Sequence, residues 1–383
     1  MLSKSLNVDI LNWKSVEYGS INYVSEAIQK TNWVEFCQLA SRLNNGLSCV
    51  LLDKITNGLN NLVKLIQFED GTRWIARIRL RTSAADLAKM RSEIQVMHLI
   101  KERSHLLIPK VFAYNTDKNN PVGVPFILME FLPGNTGMDS FGGWDAHHGR
   151  IPLVYRQTFH RSVAKSHVLQ MTALRFPKIG TIIKGKDGYD IGPFEDIGGP
   201  FDTAAAFFEA WAEHARFPFR EERIREMMRG GPTDEVLKAI NEFPSQIKAM
   251  AGLLSDHDGN NGPFPLCHAD FLHSNIIDWE GACTLPLELI TFPSFLRASP
   301  APFDSPENFD KDGQPVDAEE KQRWQDRKDY VQMVQSAEGG DNVLSTCLGN
   351  EKHVALAYCM TAFKGGKLGF YNRVIDELGR ADQ

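Results

Sequence analysis

The stretch His268-Ala269-Asp270-Phe271-Leu272-His273-Ser274-Asn275-Ile276-Ile277-Asp278 sets a histidine, an aspartate, an asparagine and a second aspartate within eleven residues. That set suits phosphoryl transfer to a hydroxyl, which needs a carboxylate to orient the nucleophile and hard oxygen ligands to hold Mg2+ on the phosphates. Asp270 is the candidate catalytic carboxylate, and His268, two residues earlier, is the candidate brace that fixes its loop by hydrogen bonding. Asn275, through its amide carbonyl, and Asp278, through its carboxylate, are the candidate metal ligands. The spacing alone is a modest signal. An ordinary loop in which His268 and Asp270 close a turn has the same pattern.

Upstream features strengthen it. Trp74-Ile75-Ala76-Arg77-Ile78 sets a cation on a strand, and Glu93 follows 16 residues later in a helical stretch, the order in which a kinase pairs a strand cation with a helix glutamate. A surface ion pair is the competing reading for Arg77 and Glu93. Asn57-Gly58-Leu59-Asn60-Asn61 sits at a hairpin, where a glycine-containing turn covers phosphates. For Asn57, Gly58 and Asn60 a plain hairpin turn competes, since one glycine falls short of G-x-G-x-x-G. Ile127-Leu128-Met129-Glu130-Phe131-Leu132-Pro133-Gly134 reads as a strand running into a hinge, with backbone groups of Glu130 and Leu132 as candidates for pairing with adenine.

The elements that position these residues follow from patterning. A helical segment, Ser25 to Leu43, precedes three apolar runs, Leu47 to Ile55, Asn61 to Phe68 and Arg73 to Leu80, broken at Thr56-Asn57-Gly58 and Glu69-Asp70-Gly71. Such breaks between alternating runs predict an antiparallel meander. Leu87, Met90, Ile94, Met97 and Ile100 recur at steps of three and four behind Ser83, which predicts a helix with Ser83 as N-cap. Pro109 to Tyr114 and Pro125 to Leu132 predict two more strands.

Past Pro133-Gly134 a glycine-rich loop runs to Gly149. Helical segments then follow at Val154 to Leu174, Thr203 to Ala215, Asp234 to Ser255, Ala318 to Ser336 and Val343 to Phe363. Pro244 is expected to break or restart the third of these. The five prolines between Phe292 and Pro315 predict a long surface loop. The expectation is an α+β, bilobal chain with a cleft between its lobes. Its parts are a helical extension over 1–45, a small antiparallel β-rich nucleotide-binding lobe over 46–133, and a larger, mainly helical lobe over 134–383 that carries the catalytic loop and substrate-binding helices.

With those residues in view, the chain resembles the aminoglycoside phosphotransferase family, in its branch of fungal-type phosphotransferase-like proteins, within the protein-kinase-like superfold. The resemblance rests on Asn60 with the Trp74–Leu80 strand, Glu93, Met129–Gly134, His268–Asn275 and Ile277–Ala282, and extends to Leu285–Pro293 and Gly366–Tyr371. It covers about residues 45 to 375. It implies transfer of the terminal phosphoryl group of ATP or GTP to a small hydroxylated metabolite, with Asp270 as catalytic base and Asn275 and Asp278 as ligands to Mg2+.

Two departures stand out. Arg77 occupies the position where a protein kinase has lysine; an arginine still grips phosphate through its fixed fork. The family also carries a β-hairpin of about a dozen residues between the loop asparagine and the second aspartate, and such hairpins set strand placement. Here only Ile276 and Ile277 intervene. At ~3.5 Å per residue the two ligands lie at most roughly 10 Å apart, close enough to face one ion; if the absent hairpin displaces Asp278, Glu280 or water is the substitute ligand. The alternative is a catalytically impaired pseudokinase that binds nucleotide or serves as a scaffold.

Composition excludes other classes. The 383 residues are 43% apolar and 23% charged, which is ordinary globular usage, and predict two or three folding units or one bilobal domain. A net charge of −6 spread along the chain argues against nucleic acid as a partner. Six cysteines without a C-x-x-C pair suit a reducing compartment, and Met1 to Ser20 lacks an apolar core or an arginine-rich pattern, so a cytoplasmic address is expected. No uncharged apolar run approaches the ~18 residues of a membrane span. Cys267, His268, His273 and Cys283 match no zinc spacing. Glu209, Glu213, Glu221 and Glu222 read as a solvated helix face, with a cationic substrate as the competing reading.

Overall fold

A computed structural model describes residues 21–134, 151–186, 188–255, 257–268, 278–340 and 342–380. The chain is α+β and forms two compact units, one of residues 1–151 with 274–281 and the other of residues 152–273 with 282–383.

The first unit is built on five antiparallel strands, β1 (Cys49–Asn57), β2 (Asn61–Phe68), β3 (Arg73–Arg79), β4 (Val111–Asn115) and β5 (Phe126–Glu130), in the order β1-β2-β3-β5-β4. Helix α3 (Ala84–Arg103) lies between β3 and β4 in the chain, so the expected sequence of meander, helix and two strands holds. Alternation sorts the side chains. Leu62, Ile66, Trp74, Ala76, Ile78, Phe126 and Leu128 share one face, where they pack with Ala27, Phe36 and Ala40 from the opening helices. Ile127 and Met129 on the other face meet Met90 and Ile94 of α3. Because helices cover both faces, every residue of β2 and β3 is buried or half-buried. The opening helical segment is two helices, α1 (Ile21–Lys30) and α2 (Trp33–Leu43). The break has a local cause, since Asn32 Oδ1 accepts from the Glu35 amide at 3.2 Å and so starts α2 afresh.

The second unit has a core of helices Ala204–His214, Thr233–Met250, Glu351–Lys364 and Tyr371–Leu378 around Phe208, Phe243, Leu356 and Tyr371. A second core gathers about Tyr330 and Val334 of helix Ala318–Glu338. Four expectations are corrected here. A second five-stranded sheet, β6 (Arg175–Phe176), β7 (Gly180–Gly185), β8 (Gly188–Gly192), β9 (Phe264–Cys267) and β10 (Cys283–Thr284), runs in the order β6-β9-β10-β7-β8. Two of its strands are only two residues long, too short for any periodicity to show. Pro244 does not break its helix, which continues from Thr233 to Met250 with Val236, Ile240, Phe243 and Ile247 buried. Packing of that apolar side outweighs the lost hydrogen bond. The proline-rich stretch after Phe292 is no mere surface loop either, because Phe292, Leu296 and Phe303 are buried, and a side chain at Gly369 would overlap the Phe303 ring. The segment Val343–Phe363 divides at Asn350, whose side chain accepts from the Lys352 and His353 amides at 3.0 and 3.1 Å.

His167 is buried with Nδ1 3.2 Å from the Tyr330 hydroxyl, and burial pulls its pKa down to about 4. The unfolded chain takes up this proton near pH ~6.5, whereas the folded chain refuses it until about pH 4. This contribution is therefore complete above the unfolded value and is lost as pH falls across that window, by on the order of 3 kcal/mol. Thermal unfolding across the window is expected to show the loss, and His167→Gln to flatten it.

Candidate active site

Register brings the site together in the first unit. Asn61 pairs with Arg79, and Val63 with Arg77, so Asn61, Arg77 and Arg79 fall on the sheet face that α3 covers. Ser83 starts α3 with a capping box, its hydroxyl accepting from the Asp86 amide at 3.2 Å while Asp86 accepts from the Ser83 amide at 3.3 Å. The helix thus fixed carries Glu93 over the strand. Arg77 Nη1 donates to Glu93 Oε1 at 2.6 Å, and both side chains are buried. Arg77 Nη2 lies 3.6 Å from Asp278 Oδ1. In the amide orientation that satisfies both of its ends, Asn61 accepts from Arg77 Nε at 3.2 Å and from Nη2 at 2.7 Å.

A second fork lies beside the first. Arg79 donates to Glu280 at 2.6 and 3.0 Å through its two terminal nitrogens, with Asp86 at 3.8 Å. Asp278 and Glu280 thus reach neighbouring arginines, while Trp279 between them is wholly buried. Asp278 has φ +66°, an uncommon conformation that aspartate tolerates better than most residues. Its side chain is 66% exposed.

Burial alone would lower the Arg77 guanidinium, but the charges of Glu93 and then Asp278 outweigh it and keep it above its ordinary value. Burial pushes the Glu93 carboxyl up and Arg77 offsets only part of this, in keeping with a buried Oε2 that has no hydrogen-bond partner among the described residues. Burial would likewise raise Glu280, yet the Arg79 fork holds it below its ordinary value. Glu93, Asp278 and Glu280 bring one oxygen each within 4.8 Å of one another, the one such group of potential metal ligands among the described residues. Hard carboxylate oxygens suit Mg2+, and of the three Asp278 is the exposed one.

The remaining sequence candidates are placed as follows. Asn57 is buried at the end of β1, and Gly58 is exposed at the turn, where its amide donates to the Asn61 carbonyl at 3.0 Å. Gly58 has no positive φ and a Cβ there would meet nothing within 4 Å, so the turn itself does not demand glycine. The Asn60 carbonyl accepts from the Leu80 amide at 2.8 Å. At the end of β5 the Glu130 amide donates to the Lys110 carbonyl at 2.8 Å, whereas Leu132 has no backbone partner among the described residues. His268 follows β9 in the second unit and is half-buried. Asp270 and Asn275 lie outside the described residues. Sequence reasoning missed Asn61, Arg79 and the pairing of Glu280 with Arg79. The signal for Arg79 was its two-residue spacing from Arg77, which alternation along β3 puts on the same face, whereas Glu280 stands in a turn and carries no such signal. Cys267 and Cys283 are cross-strand partners whose thiols burial pushes up, Cys283 to about 12, so neither offers a thiolate for metal.

Arg77 on β3 is thus clamped by Glu93 on α3, the strand-cation and helix-glutamate pair expected from the sequence. The phosphotransferase enzyme family matches residues 52–282, and the chain belongs to that family. Two curated relatives are similar over short stretches. The altered inheritance of mitochondria protein 9, mitochondrial, of Candida dubliniensis is 35% identical over 82 residues, 21% of this chain and 13% of that protein. A subtelomeric hrmA-associated cluster protein of Aspergillus fumigatus is 33% identical over 88 residues, 23% of this chain and 17% of that protein. The matched stretch thus spans less than a fifth of either relative's length. Among solved structures, a putative fructosamine-3-kinase from Thermobifida fusca is similar at 13% identity and TM-score 0.44, covering 89% of this chain and 96% of that one. A macrolide 2'-phosphotransferase from Brachybacterium faecium is similar at 13% identity and TM-score 0.39, covering 91% and 99%. Among the described residues no helix is long and apolar enough to cross a membrane.

Proposed function

We propose that the chain transfers the terminal phosphoryl group of ATP or GTP to a hydroxyl of a small molecule. The observation that carries this reading is the buried Arg77–Glu93 pair with Asp278 3.6 Å from the same guanidinium. Glu93 and Asn61 fix the plane of Arg77, which then offers a preset fork to phosphate oxygens. Gly58, whose turn does not demand glycine, leaves the β1–β2 tip free of a side chain where phosphates approach. Leu132 offers adenine a backbone amide that has no backbone partner among the described residues. Asp270 aligns the acceptor hydroxyl and takes its proton as that oxygen attacks the terminal phosphorus; the bond to the bridging oxygen breaks, and nucleoside diphosphate leaves. His268 braces the loop that carries Asp270. Mg2+, when bound, would be held by Asp278 and Asn275 and would neutralise charge on the phosphates.

The test is nucleotide binding. Mg-ATP or Mg-GTP is expected to raise the unfolding temperature of the full chain by several degrees at saturation, an effect that Arg77→Ala removes. No shift with either nucleotide would overturn the reading. The two-residue interval between Asn275 and Asp278 favours a second reading, nucleotide binding without turnover, marked by the shift in the absence of any product. A cytoplasmic address belongs to the same proposal and is checked by imaging the tagged full chain.

A further inference from the structure

The second unit contains a cavity of about 110 Å³ that none of the candidate active-site residues lines. Its wall includes Arg297, Arg327 and Lys367 together with the hydroxyls of Thr291 and Tyr358 and the ring of Phe292. No aspartate or glutamate lines it. Among the described residues, none comes within ion-pair distance of the three cations; Glu320, whose charge reaches Arg327, is itself tied to Arg323.

Two of these cations are held in place. Arg327 donates through Nε to the Leu296 carbonyl at 2.9 Å and lays its guanidinium 4.7 Å from the centre of the Phe292 ring. Lys367 donates to Ser299 Oγ at 2.9 Å and to the Tyr358 hydroxyl, and those two hydroxyls are 2.8 Å apart. Burial pulls the Arg327 pKa down to about 10, and the more distant charges of Glu320 and Glu351 offset only part of this. Of the three, Arg327 is half-buried with no carboxylate within ion-pair distance among the described residues, and an anion in the cavity would offset the cost of keeping it charged. Fixed donors also bind with little ordering cost. The space takes a group of several heavy atoms, more than a single water. Forked arginines beside an ammonium and hydroxyl donors match the many acceptor lone pairs of a phosphate.

We propose that this cavity binds a phosphate group, either inorganic phosphate or the phosphate of a small phosphomonoester, through Arg297, Arg327 and Lys367.

Titration calorimetry of the full chain with inorganic phosphate and with glycerol phosphate, against chloride at matched ionic strength, tests this. Saturable binding of at least one of the two is expected, and the one that binds more tightly identifies the source of the group. Arg297→Gln and Lys367→Met change side chains at the edge of the cavity and are each expected to weaken that binding about ten-fold. Arg220→Gln, on an exposed residue outside the cavity, is expected to leave it unchanged. Absence of saturable binding by both probes would overturn the proposal. So would full affinity in the Arg297 and Lys367 variants, because the phosphate would then sit elsewhere.

Discussion

Replacing Glu93 with alanine is expected to lower the unfolding free energy by about 3 kcal/mol, because it strands the buried Arg77 charge. The guanidinium keeps Asn61 and Asp278, which holds the cost to the lower part of the range for broken buried pairs. Replacing both partners separates the structural from the functional share. Arg77→Met with Glu93→Leu leaves no charge to strand, so stability is expected within about 1 kcal/mol of the starting protein. The double variant nevertheless lacks the phosphate fork and is expected to lose the nucleotide-induced shift. Urea unfolding followed by circular dichroism gives both free energies if the denaturant slope is unchanged. A Glu93→Ala variant as stable as the parent would refute the role given to the pair.

Asp278 makes the opposite case. Its side chain is mostly exposed and its contact with Arg77 is long, so Asp278→Asn is expected to shift stability by no more than about 0.5 kcal/mol. Asparagine also tolerates the left-handed backbone that Asp278 adopts, whereas alanine there would add strain. The same change removes the charge that would hold Mg2+, and transfer is expected to fall at least ~100-fold. Unfolding curves measured beside transfer rates over a range of Mg2+ check this. Equal losses of stability and rate would mean that Asp278 acts through the fold.

How much of this was legible in the sequence depended on distance along the chain. β2 runs from Asn61 to Phe68, as alternation indicated, and Ser83 caps α3, because both signals are local. Arg77 and Glu93 do meet, since a short strand-to-helix step leaves few ways to place them. The Arg79–Glu280 fork joins residues 201 positions apart and leaves no local pattern. Choosing Asn61 over Asn60 as the partner of Arg77 requires the β2–β3 register, which follows from the turn geometry at Asp70 and Gly71. The second sheet went unread because its strands are short and rich in glycine, and Pro244 misled because packing overrode a local penalty. Phe292, Leu296 and Phe303 show that a proline-rich stretch can still anchor a core.

Phosphoryl transfer itself is the direct measurement. Labelled ATP or GTP with Mg2+ is incubated with the full chain and a panel of amino alcohols and sugars, beside Asp270→Asn, and phosphorylated product is counted. An acceptor-dependent product is predicted from the parent protein, reduced at least ~100-fold in Asp270→Asn while its unfolding curve stays the same. Failure to phosphorylate any acceptor despite bound nucleotide, or an undiminished rate in Asp270→Asn, would contradict it.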